Sequence, residues 1–132
     1  MSSKKIYVAD THALVWFFMA DSRLGSAARD VIRKASKTCR IIVPVIVLAE
    51  ILHLSRRCRI PLSFQDTVNN LESHEGFEIV PLTDSIIKIA ADLPDSLEMH
   101  DALIVATSIF YYATLITKDE VIIKNDCVKT LW

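Results

Sequence analysis

Four acidic residues follow or interrupt apolar segments of the sequence, where carboxylates are uncommon. Asp10 follows KKIYVA, Glu50 lies inside PVIVLAEILHL, Asp101 stands at the head of HDALIVATSIFYY, and Asp119 follows TLITK. A buried carboxylate needs a partner, because removing its charge from water costs far more than one hydrogen bond returns. The runs around Glu50 and Asp101 contain no Lys or Arg. The set therefore predicts a site for Mg²⁺ or Mn²⁺, which take carboxylate oxygens and water.

Each acid also has a purely structural explanation. A helix N-cap, whose carboxylate accepts backbone N–H groups, is the alternative for Asp10, Asp101 and Asp119. Glu50 has no capping role, because it lies in the middle of a predicted helix. Its alternative is a polar stripe on an amphipathic helix, shared with His53 and Arg57.

Strand-like and helical segments alternate along the chain. Apolar runs predict strands at residues 5–9, 39–43, 77–81 and 113–117, with a possible edge strand at 127–132. Helical spacing and capping residues predict helices at residues 23–36, 45–57, 63–71, 84–92 and 99–112, and a helical turn at 119–124. We therefore expect an α/β fold, a three-layer α/β/α sandwich around a central, mainly parallel sheet of four to five strands.

The position of two acids follows from this fold. Ligands of open α/β sheets bind beyond the carboxyl ends of the strands, near the point where the strand order reverses. Asp10 and Asp119 each come directly after a predicted strand. We therefore expect both side chains at this edge of the sheet.

The composition limits the class of protein. The length of 132 residues predicts one domain over residues 1–132. A net charge of −1 provides no general basic field for holding a long duplex, so a nucleic acid would have to be bound locally. No apolar run is long enough for a membrane span and no signal-peptide core is visible, so we expect a cytoplasmic protein and no membrane partner.

The apolar content and the cysteines carry further expectations. A composition that is 52% hydrophobic exceeds what one small core readily covers, which predicts a homodimer.

The three cysteines, Cys39, Cys58 and Cys127, have no CxxC spacing. We expect them to be reduced and buried, without a disulfide framework or a zinc site.

Two other classes of protein share part of the pattern. The sequence from Asp10 to His12 resembles the first motif of calcineurin-like metallophosphoesterases, but their later glycine-containing motifs are absent, so His12 is expected to be a packed or surface residue. A receiver-like signalling module would also use an acidic Mg²⁺ pocket with a lysine such as Lys118. It needs an acid at the end of its middle strand, where this chain has Pro44 and Val45.

Four segments together resemble a known family. The segments YVADTHALVWF, VLAEIL, HDALIVATSI and LITKDEVI, in this order, resemble PIN-domain ribonucleases and, among them, the small VapC-type toxins of toxin–antitoxin pairs. The resemblance implies a metal-dependent endoribonuclease that cleaves single-stranded RNA with water activated by Mg²⁺ or Mn²⁺. The four acids would be both its catalytic residues and its metal ligands. A catalytically inactive relative that binds RNA remains the alternative.

The resemblance also implies accessory residues. Thr11 and Thr117 match hydroxyl positions that accompany the acids, and Ser108 lies two turns beyond Asp101 on the same helix face. Local capping or strand packing is the alternative for each hydroxyl. Glu98 is expected to be exposed, and His100 is expected at the surface or behind the ligands.

Two protein partners follow from the resemblance. VapC-like proteins commonly pair as homodimers, and their antitoxins wrap the toxin and can place a basic side chain near the acids. We expect the antitoxin to land on apolar surface of the first helices that includes Trp16, Phe17 and Phe18, for which core packing is the alternative. The RNA target is not indicated by any residue.

Overall fold

A parallel β-sheet forms the centre of the protein. The computed structural model describes residues 5–35 and 39–132. Within them the strands are β1 (Lys5–Ala9), β2 (Cys39–Pro44), β3 (Phe77–Val80), β4 (Thr114–Ile116) and β5 (Thr130–Leu131). All neighbouring strands are parallel, in the order β3-β2-β1-β4-β5.

Seven helices of the described chain flank this sheet. They are α1 (Thr11–Phe18), α2 (Ser26–Arg33), α3 (Val45–Arg56), α4 (Phe64–Ser73), α5 (Asp84–Ala91), α6 (Met99–Phe110) and α7 (Glu120–Asn125). The expected three-layer α/β/α sandwich is therefore confirmed, with five strands. No helix in this part of the chain has the length and apolar character needed to cross a membrane.

The core lies between the sheet and its helices. Strands of a parallel sheet are buried on both faces and read as continuous apolar runs, as IIV does at residues 41–43 of β2, where each side chain is 0% exposed. The apolar helix α6 is buried from Leu103 to Ser108, as its sequence predicts. Large apolar side chains remain exposed near the ends of α6 and on α5, namely Ile87, Met99, Phe110 and Tyr112.

The first two helices differ from the sequence prediction. Residues 11–18, which lie outside the helices predicted from the sequence, form the full helix α1. The helix expected at 23–36 is shorter, because Gly25 is its N-cap in extended conformation, and residue 36 lies outside the described residues. A Cβ on Gly25 would lie 2.5 Å from the backbone oxygen of Trp132, so this position requires glycine.

Smaller corrections concern the end of the chain and the cysteines. The edge strand expected at 127–132 is only two residues long. Cys39 is buried and Cys127 is half-buried, but Cys58 is exposed, so the expectation of burial is wrong for Cys58.

The strand order reverses beside β1. The chain runs from β1 outward to β2 and β3 and then returns to β4 on the other side of β1. Ala9 pairs with Ile116 at the carboxyl ends of these two strands, and the Asp10 amide donates to the Ile116 carbonyl at 3.2 Å. The residues after β1 and β4 therefore meet at the crevice where α/β sheets bind ligands.

Candidate functional site

Asp10 occupies the crevice and also caps α1. Its Oδ1 accepts a hydrogen bond from the Ala13 amide at 2.9 Å, so the capping explanation is correct for this residue. Burial raises the pKa of Asp10, against the lowering effect of hydrogen bonds from the Thr117 hydroxyl and the Ala13 amide. The carboxylate is therefore partly desolvated and retains capacity for a cation.

Thr117 joins Asp10 to Asp119. Its side chain is 1% exposed, and its hydroxyl donates to Asp10 and accepts from the Asp119 amide at 3.1 Å. Asp119 in turn caps α7, because its Oδ1 accepts from the amides of Val121 and Ile122 at 2.9 and 3.1 Å. The two strand ends thus hold both carboxylates in fixed orientations.

Glu50 reaches the crevice from the middle of α3. Its Oε1 accepts a hydrogen bond from the Thr11 hydroxyl at 2.9 Å, and Thr11 is 3% exposed. This bond links α3 to the first turn of α1, immediately after Asp10. Glu50 therefore faces the other acids and is not part of a solvated helix stripe.

Asp101 lies in the first turn of α6, whose N-cap is Glu98 and not Asp101, so the capping explanation fails for this residue. The pKa of Asp101 is raised to about 6, mainly because the side chain is partly buried. Repulsion from neighbouring carboxylates raises it further, and these are, in decreasing order of effect, Asp119, Glu98, Glu50 and Asp10. Asp101 therefore lies within the electrostatic field of the other three candidate acids.

A single cavity of about 460 Å³ brings these acids together. Its lining contains the four candidate acids together with Glu98, Glu120 and the basic or aromatic residues His12, Trp16, His100, Lys118 and Trp132. No ion pair within residues 5–35 and 39–132 involves any of the four candidate acids. The cavity therefore concentrates negative charge that the described side chains do not neutralise.

The donor set fits a hard divalent cation. Carboxylate oxygens are the preferred ligands of Mg²⁺ and Mn²⁺. Burial and, after it, repulsion from the other carboxylates raise the pKa of Asp101, and a cation would relieve this repulsion. The described residues contain no group of three or more His, Cys, Asp and Glu side chains already placed to hold a metal ion. A preformed cluster of this kind is not required for Mg²⁺, which usually keeps several waters and is bound through one or two carboxylates together with substrate phosphates.

The other sequence candidates are placed differently. Ser108 is fully buried, and its hydroxyl donates to the Ile104 carbonyl at 3.1 Å; among the described residues it does not line the cavity. Glu98 and His100 are exposed and line the cavity, and the Nδ1 atom of His100 lies 3.8 Å from the Oε1 atom of Glu98.

The expected apolar landing surface on the first helices is wrong for Trp16, whose side chain is 8% exposed and lines the cavity. Phe17 and Phe18 are half-buried and pack against the core. Core packing is therefore the correct explanation for Trp16, and the landing surface stays a prediction for the partly exposed Phe17 and Phe18.

Sequence reasoning missed an aromatic and cationic wall of the cavity. The Lys118 Nζ lies 4.9 Å from the centre of the Trp16 ring and 5.9 Å from that of Trp132. The two tryptophan rings contact edge to face at 5.8 Å. The sequence indicated Lys118 only as the lysine of a receiver-like acidic pocket, and no local signal indicated that Trp132 reaches this wall.

Comparison with models of protein families identifies the family of this chain. The family model described as PIN domain matches residues 7–126, which is most of the sequence. No curated protein matches the sequence significantly.

Solved structures share the fold at low sequence identity. The VapBC2 complex of Rickettsia felis, bound to a promoter DNA fragment, has a chain that is 19% identical with a TM-score of 0.74, over 96% of this chain and 98% of that one. FitAcB of Neisseria gonorrhoeae is 14% identical with a TM-score of 0.68, over 96% of both chains. VapC20 of Mycobacterium tuberculosis, a toxin that cleaves the sarcin–ricin loop, is 18% identical with a TM-score of 0.65, over 92% of this chain and 95% of that one.

Proposed function

The chain belongs to the PIN-domain family, and from that membership we propose that it is a metal-dependent endoribonuclease acting on single-stranded RNA. One observation carries the proposal. Carboxylates from four separate segments, Asp10, Glu50, Asp101 and Asp119, line one cavity at the strand-order reversal and form no ion pair among the described residues. A receiver-like signalling module is not compatible with this family membership.

Each side chain has a distinct part in the proposed chemistry. The four carboxylates would hold Mg²⁺ or Mn²⁺. When bound, the ion supplies a water of lowered pKa and neutralises charge on the phosphate. Thr117 keeps Asp10 and Asp119 oriented, and Thr11 does the same for Glu50.

Lys118 adds a positive charge to a cavity otherwise dominated by acids. Its Nζ lies over the Trp16 ring, and it takes part in no ion pair among the described residues. We assign it the role of contacting a phosphate oxygen of the bound RNA, because an ammonium group that stacks on aromatic rings and forms no described ion pair can still bind an anion.

The test of this function is cleavage of a labelled single-stranded RNA by the purified protein with Mg²⁺, with Mn²⁺ and with EDTA. A duplex of the same sequence and a single-stranded DNA serve as comparison substrates. Metal-dependent cleavage of the single strand supports the proposal. Equal cleavage in EDTA, with contaminating nuclease excluded, contradicts the metal mechanism, and RNA binding without cleavage identifies an inactive relative.

We further propose that the protein is the toxin of a toxin–antitoxin pair. Several solved structures with this fold are toxin–antitoxin complexes, including one from Klebsiella pneumoniae. An acidic cavity whose four candidate carboxylates form no ion pair among the described residues also suits a guanidinium, whose planar donors match carboxylates. Co-expression with the product of the adjacent upstream gene should give a stable complex with suppressed nuclease activity, and full activity in its presence contradicts this role.

We also propose a homodimer. The exposed apolar residues near α5 and α6 are the described surface that a second copy could cover, with Tyr112 95% exposed, Met99 70% and Ile87 50%. Sedimentation at micromolar concentration should give a dimer that Tyr112→Asp weakens. A wild-type monomer at this concentration contradicts the proposal.

A further inference from the structure

A second cavity of about 430 Å³ adjoins the acidic one. Both cavities are lined by His12 and Trp16, so these two residues stand between them. The volume lies within the range of pockets that bind small molecules and single residues of polymers. A chain that crosses the acidic cavity can therefore continue past His12 into the second one.

The two cavities differ in charge. The described lining of the second cavity contains no acidic residue but includes Arg23 and Arg59. Arg23 is already engaged, because its guanidinium pairs with Asp21 at 2.8 Å and lies 4.6 Å from the Trp16 ring centre. Arg59 is exposed and its side chain has no hydrogen bond or ion pair within the described part of the chain, so it is available to an anion.

His12 provides an aromatic face between the cavities. It is exposed, and its ring centre lies 5.3 Å from that of Trp16. Trp16 is 8% exposed and is packed into the core, so it supports the histidine from behind. Aromatic rings of this kind, histidine included, stack on unpaired bases of single-stranded nucleic acids.

The remaining wall of the second cavity is apolar. Met19, Ile60 and Pro61 line it, and Met19 and Ile60 pack against the core. An apolar wall favours the flat faces of a base without selecting one base by its edge. Together with Arg59, it supplies separate contacts for a base and for a phosphate.

We propose that the second cavity binds the nucleotide next to the scissile phosphate, with its base against His12 and the apolar wall and its phosphate on Arg59. This inference rests on the proposed ribonuclease function and names where the substrate chain runs beyond the acids. It predicts that Arg59 and His12 contribute to substrate binding and not to the chemical step.

The experiment measures KM and kcat on a fluorescein-labelled single-stranded RNA of mixed sequence at several salt concentrations. Arg59→Ala should raise KM with little change in kcat, and should reduce the slope of log affinity against log salt by about 0.7, the value for one phosphate contact on a single strand. Arg57→Ala is the matched control, because Arg57 is also exposed on the same segment but lines neither cavity among the described residues. It should leave KM and the salt slope unchanged.

The base contact is tested by two substitutions at one position. His12→Ala should raise KM by about fivefold or more, the lower end of base–aromatic stacking. His12→Phe keeps an aromatic face and should retain the KM of the parent protein. A merely structural role of His12 would not produce this pair of results, and thermal melting of each variant verifies the fold.

The outcomes separate this inference from the proposed function. RNA cleavage by the parent protein, with Arg59→Ala and His12→Ala behaving like Arg57→Ala, overturns the second cavity as a nucleotide site and leaves the nuclease intact. No RNA cleavage by the parent protein overturns both. Unchanged KM together with loss of a co-purifying partner protein shows a protein-docking surface and also overturns the nucleotide site.

Discussion

The Thr11 hydroxyl donates a 2.9 Å hydrogen bond to the Oε1 atom of Glu50, joining the first turn of α1 to the middle of α3. The contact connects residues 39 positions apart and is partly shielded from solvent. It places the Glu50 carboxylate beside the residue that follows Asp10. The proposed metal site therefore depends on how these two helices pack.

Removing this hydroxyl should lower activity more than stability. Thr11→Val should reduce kcat for RNA cleavage by about 10-fold, as loss of a partner that orients a ligand typically does, while unfolding free energy falls by about 1 kcal/mol. Thr11→Ser keeps the donor and should retain most activity. The measurement is steady-state cleavage together with urea unfolding. A Thr11→Val protein with the parent kcat would show that Glu50 does not need this orientation.

The raised pKa of Asp101 predicts that the metal-free protein becomes less stable to unfolding as the pH rises. Its pKa is about 6 in the folded protein and 3.8 ordinarily, so the folded state holds this proton more tightly and loses stability as pH rises from about 4 to about 6. Asp101→Asn should be more stable than the parent above pH 6 by about 1 kcal/mol, a value that discounts the full shift for solvent screening.

The measurement for Asp101 is denaturant unfolding in EDTA at pH 4 and pH 7. Most of the stability advantage of Asp101→Asn should be lost at pH 4, where Asp101 is protonated in the folded parent and only partly ionised in the unfolded chain. Saturating Mg²⁺ should reverse the order at pH 7, because the parent protein, with all four carboxylates, binds the ion more tightly and gains more stability from it. An advantage equal at both pH values would assign the effect to packing and not to charge.

Gly25 should be intolerant of a side chain. Gly25→Ala places a Cβ 2.5 Å from the Trp132 backbone oxygen, and relieving this overlap should cost about 1–3 kcal/mol of stability. Because Trp132 lines the acidic cavity, RNA cleavage should fall as well. Ser26→Ala, at the exposed neighbouring position, is the control and should change neither quantity in thermal melting and cleavage assays. A Gly25→Ala protein that melts at the parent temperature contradicts this packing.

The strands of the sheet and the position of most of the candidate acids could be predicted from the sequence, for a physical reason. Apolar runs identify buried parallel strands, and an acid directly after a strand must lie at the sheet edge, as Asp10 and Asp119 do. Glu50 could be suspected because a charge in the middle of an apolar helix needs an explanation. Whether four acids share one site remains invisible until the strand order is known.

Other features depend on contacts between distant segments that no local pattern encodes. Trp132 reaches the cavity because its backbone oxygen accepts from the Ala28 amide at 3.4 Å and the Gly25 backbone leaves room for it. Ser108 has suitable spacing from Asp101, but its hydroxyl satisfies a carbonyl of its own helix, which is common for buried serine. Spacing along a helix alone did not distinguish these two possibilities.

The most direct test of the account is the rate of RNA cleavage by single carboxylate-to-amide variants. Asp10→Asn, Asp101→Asn and Asp119→Asn keep the side-chain size and remove one charge each from the cavity. Each should lower kcat in Mg²⁺ by more than about 100-fold, beyond the loss expected for residues that merely support a ligand. Glu75→Gln is the matched control, an exposed acid that does not line the cavity among the described residues, and should cleave at the parent rate. Parent-like cleavage by Asp101→Asn and Asp119→Asn would contradict the proposal that these carboxylates form the catalytic metal site.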